Sequence, residues 1–162
     1  MKRMTFLSLA AFALLLFGGL PEILHAVEKT TNPAFDVALA KKLGADERGM
    51  KMYVFCILKT GPKDADIKGK ERDEIFAGHF ANITKLAGEG KLVVAGPFEK
   101  NDKAYRGLYI FNVATVEEAE KLVVHDPAIQ AGVFVPELTP WYATAALGEI
   151  NRIHRTLTPN LP

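Results

Sequence analysis

The chain has 162 residues, a length that suits one domain with a modest hydrophobic core. Hydrophobic residues make up 49% and charged residues 24%, which is the composition of an ordinary globular protein. Lys and Arg total 20 against 19 Asp and Glu, so the net charge is +1. Because nucleic-acid affinity depends on a basic excess that neutralises phosphates, this balance argues against a nucleic-acid-binding protein.

The N-terminal segment has the layout of a secretory signal. Two basic residues precede an apolar run over residues 6–20, and Ala26 ends the segment. The run is too short for a membrane span, which needs about 20 apolar residues. We therefore predict a signal peptide at residues 1–26, a periplasmic or extracellular protein, and no membrane association after signal removal. An uncleaved anchor is the alternative, because Leu24 stands where a small residue is preferred.

The sequence offers little for metal or cofactor chemistry. Its one cysteine, Cys56, lies inside an apolar run, which favours a small buried hydrophobe over a reactive thiol. Histidines and carboxylates do not follow the spacing of a metal site, and there is no glycine-rich phosphate loop. We expect neither a metal nor a cofactor.

The predicted elements begin with a lead-in segment at residues 27–50. Pro33 favours the start of a helix there, and Gly44 favours its end. An almost continuously apolar run at residues 52–58 predicts a buried strand. Apolar residues spaced three and four apart over residues 71–87 predict an amphipathic helix that packs on the sheet.

Two further strands, a helix and a last strand follow. Residues 91–95 and 106–113 are predicted to pair antiparallel across a short polar connection. Thr115 and Glu118 form a capping-box pattern, which predicts the start of the second helix. Residues 133–142 predict a strand at the edge of the sheet, because its two prolines cannot donate hydrogen bonds to a neighbour.

The resulting order predicts an α+β fold, the split ferredoxin-like βαββαβ arrangement, over residues 51–142. Residues 143–162 are predicted to add a C-terminal helix, over 143–157, and a tail. The two helices of the core cover only one face of a four-stranded sheet. Since an exposed apolar face favours association, we predict a homodimer in which two such sheets pack together, the dimeric α/β-barrel type.

Two segments resemble the YCII-related family. GHFANITKLAGEGKLVVAGPF resembles the family's helix, glycine turn and strand ending in Gly-Pro. VEEAEKLVVHDPAIQAGVF resembles its second helix, Asp-Pro step and last strand. Residues 35–155 also resemble an exported subgroup, with AKKLGADERGMK in front and PWYATAAL behind. The resemblance implies a ferredoxin-like domain that dimerises and has a pocket between sheet and helices.

The resemblance also implies a His–Asp pair as the active site, and the matching positions are His79 and Asp126. One branch of the family resembles dehydrochlorinases of chloroaromatic breakdown, and related folds include lactone isomerases and small monooxygenases. A cofactor-independent enzyme of the lyase or isomerase type, acting on a small cyclic or aromatic molecule, is therefore implied. The alternative is a non-catalytic module that binds a small ligand or serves assembly.

Each of the two residues also has a structural interpretation. His79 lies on the apolar stripe of its helix, where a histidine bonded to a backbone carbonyl is the alternative to a site residue. Asp126 precedes Pro127, and Asp-Pro is a common start of a helix. A carboxylate has two oxygens, so capping and histidine binding are compatible. We predict that the pair lies within hydrogen-bonding reach at the rim of a pocket.

Other polar and aromatic residues are weaker candidates. His125 and His154 are not expected to be catalytic. Arg106 fits either an anion site or the flank of a hairpin. Trp141 and Tyr142 fit either a pocket wall or a dimer contact.

Overall fold

The structure is a computed structural model that describes residues 32–157 and 159. The chain divides into two compact units, Met1–Phe35 and Asp36–Pro162. In the first unit, the Phe35 N–H donates to the carbonyl of Asn32 at 3.0 Å and closes a turn. The predicted signal peptide lies outside the described residues.

The second unit is built on one antiparallel sheet with helices, an α+β architecture. The strands are β1 (Met50–Thr60), β2 (Leu92–Pro97), β3 (Tyr105–Phe111) and β4 (Phe134–Thr144). The helices are α1 (Val37–Leu43), α2 (Gly69–Gly88), α3 (Val116–Val123), α4 (Pro127–Gln130) and α5 (Ile150–Leu157), with a 3-10 helix at Ala145–Glu149. The strand order β2-β3-β1-β4 is consistent with the predicted ferredoxin-like fold and places β4 at an edge, as its prolines predicted.

The long helix α2 forms where the apolar spacing predicted it. Its partly buried residues Ile75, Phe76 and Ile83 pack against the core, and Leu86 is 4% exposed. The helix ends at Gly88, and Gly90, two residues later, adopts a left-handed conformation with φ of 68°. Burial of one stripe of α2 on the sheet is what fixes the direction of His79.

The capping box that was predicted before α3 is present. The Thr115 hydroxyl accepts from the Glu118 N–H at 3.3 Å, and the Glu118 carboxylate accepts from the Thr115 N–H at 3.2 Å. These bonds satisfy donors that the first turn of a helix leaves free. The start of α3 is therefore set locally, by residues three apart.

Both terminal helices differ from the sequence prediction. The helix α1 begins after Asp36, whose carboxylate accepts from the Leu39 N–H at 2.9 Å, and not at Pro33. The predicted C-terminal helix was placed too early, because β4 continues to Thr144 through its pairing with Met50. A 3-10 turn follows, and α5 occupies only the last eight residues of the predicted range.

The two faces of the sheet carry different cores. The main core lies between the sheet and α2, α3 and α4. Its fully buried members (under 2% exposed) include Val54, Cys56, Leu92, Phe111 and Val133. On the other face, Tyr53, Val93, Ile110 and Ala143 pack with Leu147 of the 3-10 helix. The C-terminal segment thus covers part of the face that the sequence left for a second sheet.

The lead-in helix α1 is joined to the C-terminal segment. Lys42 donates to the Glu149 carboxylate at 2.8 Å, and Arg152 donates to it as well. Hydrogen bonds from these two cations lower the pKa of Glu149 to about 2. Among the described helices, none is long and apolar enough to cross a membrane.

Candidate active site

His79 and Asp126 meet between α2 and the start of α4. The His79 Nδ1 atom lies 2.9 Å from both carboxylate oxygens of Asp126, although the residues are 47 positions apart in sequence. His79 is 6% exposed and Asp126 is fully buried. The predicted hydrogen-bonding reach is therefore met, in a setting that excludes most water.

Gly78 allows this approach. A Cβ atom at Gly78 would lie 2.9 Å from Cγ and 3.3 Å from Cβ of Pro127, closer than packed atoms allow. Without a side chain there, α4 packs directly on α2. Asp126, which stands just before Pro127, is then held opposite the imidazole of His79.

The Asp126 carboxylate accepts hydrogen bonds from several directions. Its Oδ1 accepts from the Ala128 N–H at 2.9 Å, so the residue caps α4 as its sequence context suggested. Its Oδ2 accepts from the Tyr109 hydroxyl at 3.1 Å and from the Asn82 amide at 3.5 Å. Capping and histidine binding therefore coexist on one carboxylate, and its negative charge is well compensated.

Tyr109 is the polar neighbour that the sequence did not single out. Its hydroxyl lies 3.3 Å from Nδ1 and 3.4 Å from Nε2 of His79. Burial raises the pKa of Tyr109 above its ordinary value, and the negative charge of Asp126 raises it further. The hydroxyl therefore keeps its proton and acts as a donor. Side chains alternate between the two faces of the sheet along β3, and this alternation places Tyr109 and Phe111 on the side that faces the helices. That pattern in the sequence could have indicated that Tyr109 lies near the pair.

The bond to Asp126 determines which nitrogen of His79 carries the proton in the neutral ring. A carboxylate only accepts, so Nδ1 bears the hydrogen and donates it. Nε2 then carries a lone pair. An imidazole with one nitrogen held by a carboxylate and the other free to accept is the arrangement used for proton transfer.

Three phenylalanine rings surround the imidazole. The ring centroids of Phe76, Phe80 and Phe134 lie 5.8, 5.5 and 5.4 Å from that of His79. Of these, Phe80 is exposed, at 59%. The surroundings differ from the expected rim of an open pocket, because the imidazole borders these three rings and His79 is only 6% exposed.

The other candidate residues from the sequence form no part of the His–Asp pair. Cys56 is fully buried, and burial raises the pKa of its thiol to about 12, as expected for a core residue and not for a nucleophile. Arg106 pairs with Asp64 at 3.2 Å near the hairpin. His125 is exposed one residue before Asp126.

The aromatic candidates on β4 are also outside the pair. Trp141 makes an edge contact with Phe55, with ring centroids 5.9 Å apart, on the sheet face away from α2. The Tyr142 hydroxyl donates to the Asp46 carboxylate. Among residues 32–157 and 159, no group of three or more His, Cys, Asp or Glu side chains is placed to hold a metal ion.

The fold and the site define a small α+β protein with a buried His–Asp pair between two helices. The YCII-related domain matches residues 52–142, more than half of the chain. The chain therefore belongs to the YCII-related family.

One solved structure with similarity to this chain is 5-chloro-2-hydroxyhydroquinone dehydrochlorinase from Burkholderia phenoliruptrix AC1100, in complex with 2,5-dihydroxybenzoquinone. The two chains are 24% identical, the match covers 55% of this chain and 92% of that chain, and the TM-score is 0.41. A comparison with curated proteins finds no match.

Proposed function

We propose that this protein is a cofactor-independent enzyme of small molecules in which His79 transfers a proton and Asp126 orients it. The observation that carries the proposal is the 2.9 Å contact between His79 Nδ1 and the buried Asp126 carboxylate. A buried carboxylate at Nδ1 stabilises the imidazolium that forms when Nε2 accepts a proton. Tyr109 and Ala128, which donate to the same carboxylate, hold it in position.

The chemistry that fits such a pair begins with removal of a proton from a ring carbon or hydroxyl of the substrate by Nε2. In a dehydrochlorinase-like lyase reaction, the electron pair left behind forms a new double bond while chloride leaves with the electrons of its bond to carbon. In an isomerase-like reaction, the imidazolium returns the proton to a different carbon. Both routes balance without an added oxidant, reductant or metal.

The surroundings of His79 favour a cyclic or aromatic substrate. The imidazole is bordered by Phe76, Phe80 and Phe134, and aromatic rings pack edge to face with other rings at such distances. Because Phe80 is the exposed ring of this set, a substrate reaches His79 after Phe80 changes its rotamer. The alternative is a non-catalytic module that binds a ligand or serves assembly, and the 6% exposure of His79 is the observation that favours it.

A turnover screen in D2O separates these two functions. Chlorinated hydroquinones and unsaturated five-membered lactones are incubated with the protein, and chloride release and deuterium incorporation are followed by NMR. We expect turnover of at least one class, reduced at least about a hundredfold in His79→Asn. His125→Asn, which removes an exposed histidine one residue from Asp126, is the matched control and retains the activity. Equal turnover in His79→Asn contradicts the enzymatic proposal.

We also propose that the protein is exported and works as a homodimer. Export is supported by the basic and apolar N-terminal pattern, and cleavage is expected near Val27. Intact-mass measurement of the secreted product tests it, since a product that keeps Met1 in the membrane fraction identifies an anchor.

The dimer is supported by Trp141 and Val135, 38% and 44% exposed on the sheet face away from α2. Light scattering that gives a monomer mass contradicts it.

A further inference from the structure

A second candidate binding site lies at the C-terminal end of α2 and is lined by neither residue of the His–Asp pair. The C-terminal turns of α2, the edge strand β2 and the helix α5 enclose a cavity of about 430 Å³. Neither His79 nor Asp126 is among the described residues that line it. Cavities of roughly 300–1,000 Å³ are the size that small organic ligands occupy.

The walls of this cavity are largely aliphatic. Ile83 and Ala87 of α2 line one side, and Val94 and Ala95 of β2 line another. Ala95 is exposed although it is apolar and lies in a strand. An apolar cavity of this size gains free energy when a hydrocarbon body displaces water from its walls.

The opening beside α5 carries the positive charge of Arg155. Arg155 and His154 line the cavity, whereas none of its described lining residues is a carboxylate. Within the described part of the chain, the Arg155 guanidinium forms no ion pair, in contrast to Arg152, which pairs with Glu149. An arginine beside an apolar cavity offers two parallel N–H donors to a ligand carboxylate.

The helix α5 is fixed in place as a wall of the cavity. The side-chain amide of Asn151 donates to the Leu92 carbonyl at 2.7 Å and, more weakly, to the Ala87 carbonyl at 3.4 Å. These bonds tie α5 to both β2 and α2. Since α5 lies beyond the family match at residues 52–142, the charged side of the cavity is built from a part of the chain outside the YCII-related domain.

We propose that this cavity binds an amphipathic carboxylate, with its hydrocarbon body against the α2 and β2 walls and its carboxylate at Arg155. The site is independent of the proton-transfer function proposed for His79. Sodium decanoate is a suitable probe, because it pairs a single carboxylate with an unbranched apolar chain. Decyltrimethylammonium, with the same chain and the opposite charge, is the matched control ligand.

Isothermal titration calorimetry of the full chain tests the proposal. We expect decanoate to bind at one site and decyltrimethylammonium to bind about fivefold more weakly, since an exposed charge pair contributes up to about 1 kcal/mol. Absence of decanoate binding, or equal binding of both ligands, overturns the proposal. Equal binding means that the cavity, if occupied, does not recognise charge.

Variants locate the binding. Arg155→Gln is expected to weaken decanoate about fivefold, whereas Arg152→Gln, one turn earlier on α5 and outside the cavity lining, leaves it unchanged. Ala95→Phe fills the cavity from the strand side and is expected to abolish binding. Ala87→Leu fills the cavity from the helix side and replaces Ala95→Phe if that variant does not fold. His79→Asn is expected to retain decanoate binding. Loss of decanoate binding in His79→Asn would place the ligand at the His–Asp pair and contradict a separate site.

Discussion

Gly78 of α2 faces the ring of Pro127 so closely that a Cβ atom at Gly78 would lie 2.9 Å from Pro127 Cγ. This contact sets the separation of α2 and α4 and, through it, the separation of the next residue, His79, from Asp126. The contact between His79 and Asp126 therefore depends on a backbone approach at the neighbouring position. A glycine in the middle of a helix is otherwise unfavourable by about 1 kcal/mol relative to alanine.

Gly78→Ala is expected to destabilise the protein by about 1–3 kcal/mol, because the rigid proline ring cannot move aside and α4 must shift. Gly88→Ala is the matched control on the same helix, since a Cβ atom there meets nothing within 4 Å. We expect the control to be neutral or stabilising by up to about 1 kcal/mol. Urea unfolding of both variants provides the measurement, and the same change in both would show that the Pro127 contact is unimportant.

Asp126→Ala is expected to lower the free energy of unfolding by about 3–5 kcal/mol. The change removes the cap of α4 and leaves buried donors on His79 and Tyr109 without their acceptor. Asp36→Ala is the control, because Asp36 also caps a helix but is exposed, and its loss costs about 1 kcal/mol. Similar losses of unfolding free energy in the two variants would indicate that Asp126 stabilises the protein only as a helix cap.

Tyr109→Phe keeps the ring of Tyr109 and removes the hydroxyl that donates to Asp126. We expect a loss of about 1 kcal/mol in unfolding free energy, the usual net value of one buried hydrogen bond. Tyr105→Phe, on the same strand and half-buried, is expected to change stability by less than about 0.5 kcal/mol. Chemical denaturation compares them, and an unchanged stability in Tyr109→Phe would exclude the hydroxyl from the network.

The pH dependence of stability in alkaline solution reports on Cys56. Its pKa is raised to about 12 by burial, whereas a thiol in an unfolded chain ionises near pH 8.5. Above about pH 8.5 the unfolded state therefore binds fewer protons than the folded state, and stability falls as pH rises. We expect Cys56 to contribute a decline of up to about 1.4 kcal/mol per pH unit between about pH 9 and 12.

The matched variant for this effect is Cys56→Ala, which lacks the titrating thiol and whose loss of packing does not itself depend on pH. Its stability is expected to fall less steeply than that of the wild type between pH 9 and 10.5. If stability falls equally steeply with pH in the two proteins, the burial of an un-ionised thiol at this position is contradicted.

Local signals in the sequence were sufficient for much of the fold. The three- and four-residue spacing of apolar side chains predicted α2, and the Thr115–Glu118 pair predicted the start of α3, because both depend on residues within one or two turns. The prolines of β4 predicted an edge strand because each lacks a backbone donor. His79 and Asp126 were found through the family motifs, and their contact follows from the packing of α2 on α4.

The features of the fold and site that the sequence did not predict depend on contacts between distant parts of the chain. Thr144 was expected in a helix and lies in a strand, because Met50 pairs with it from the other end of the sequence. Tyr109 was missed because nothing near it in sequence shows that its hydroxyl reaches Asp126, 17 residues later. The aromatic enclosure of His79 likewise joins α2 to Phe134 of β4. Such relationships are fixed by tertiary packing.

The protonation of the His79 ring tests the proton-transfer account most directly, because it requires no knowledge of the substrate. Long-range 1H–15N NMR of 15N-labelled protein distinguishes the two neutral tautomers of each histidine, and His79→Asn assigns the signal. We predict that neutral His79 carries its proton on Nδ1, bonded to Asp126, with Nε2 free to accept, and that Asp126→Asn changes this signal while His125→Asn does not. A neutral His79 protonated on Nε2, or a signal unchanged in Asp126→Asn, would contradict the account.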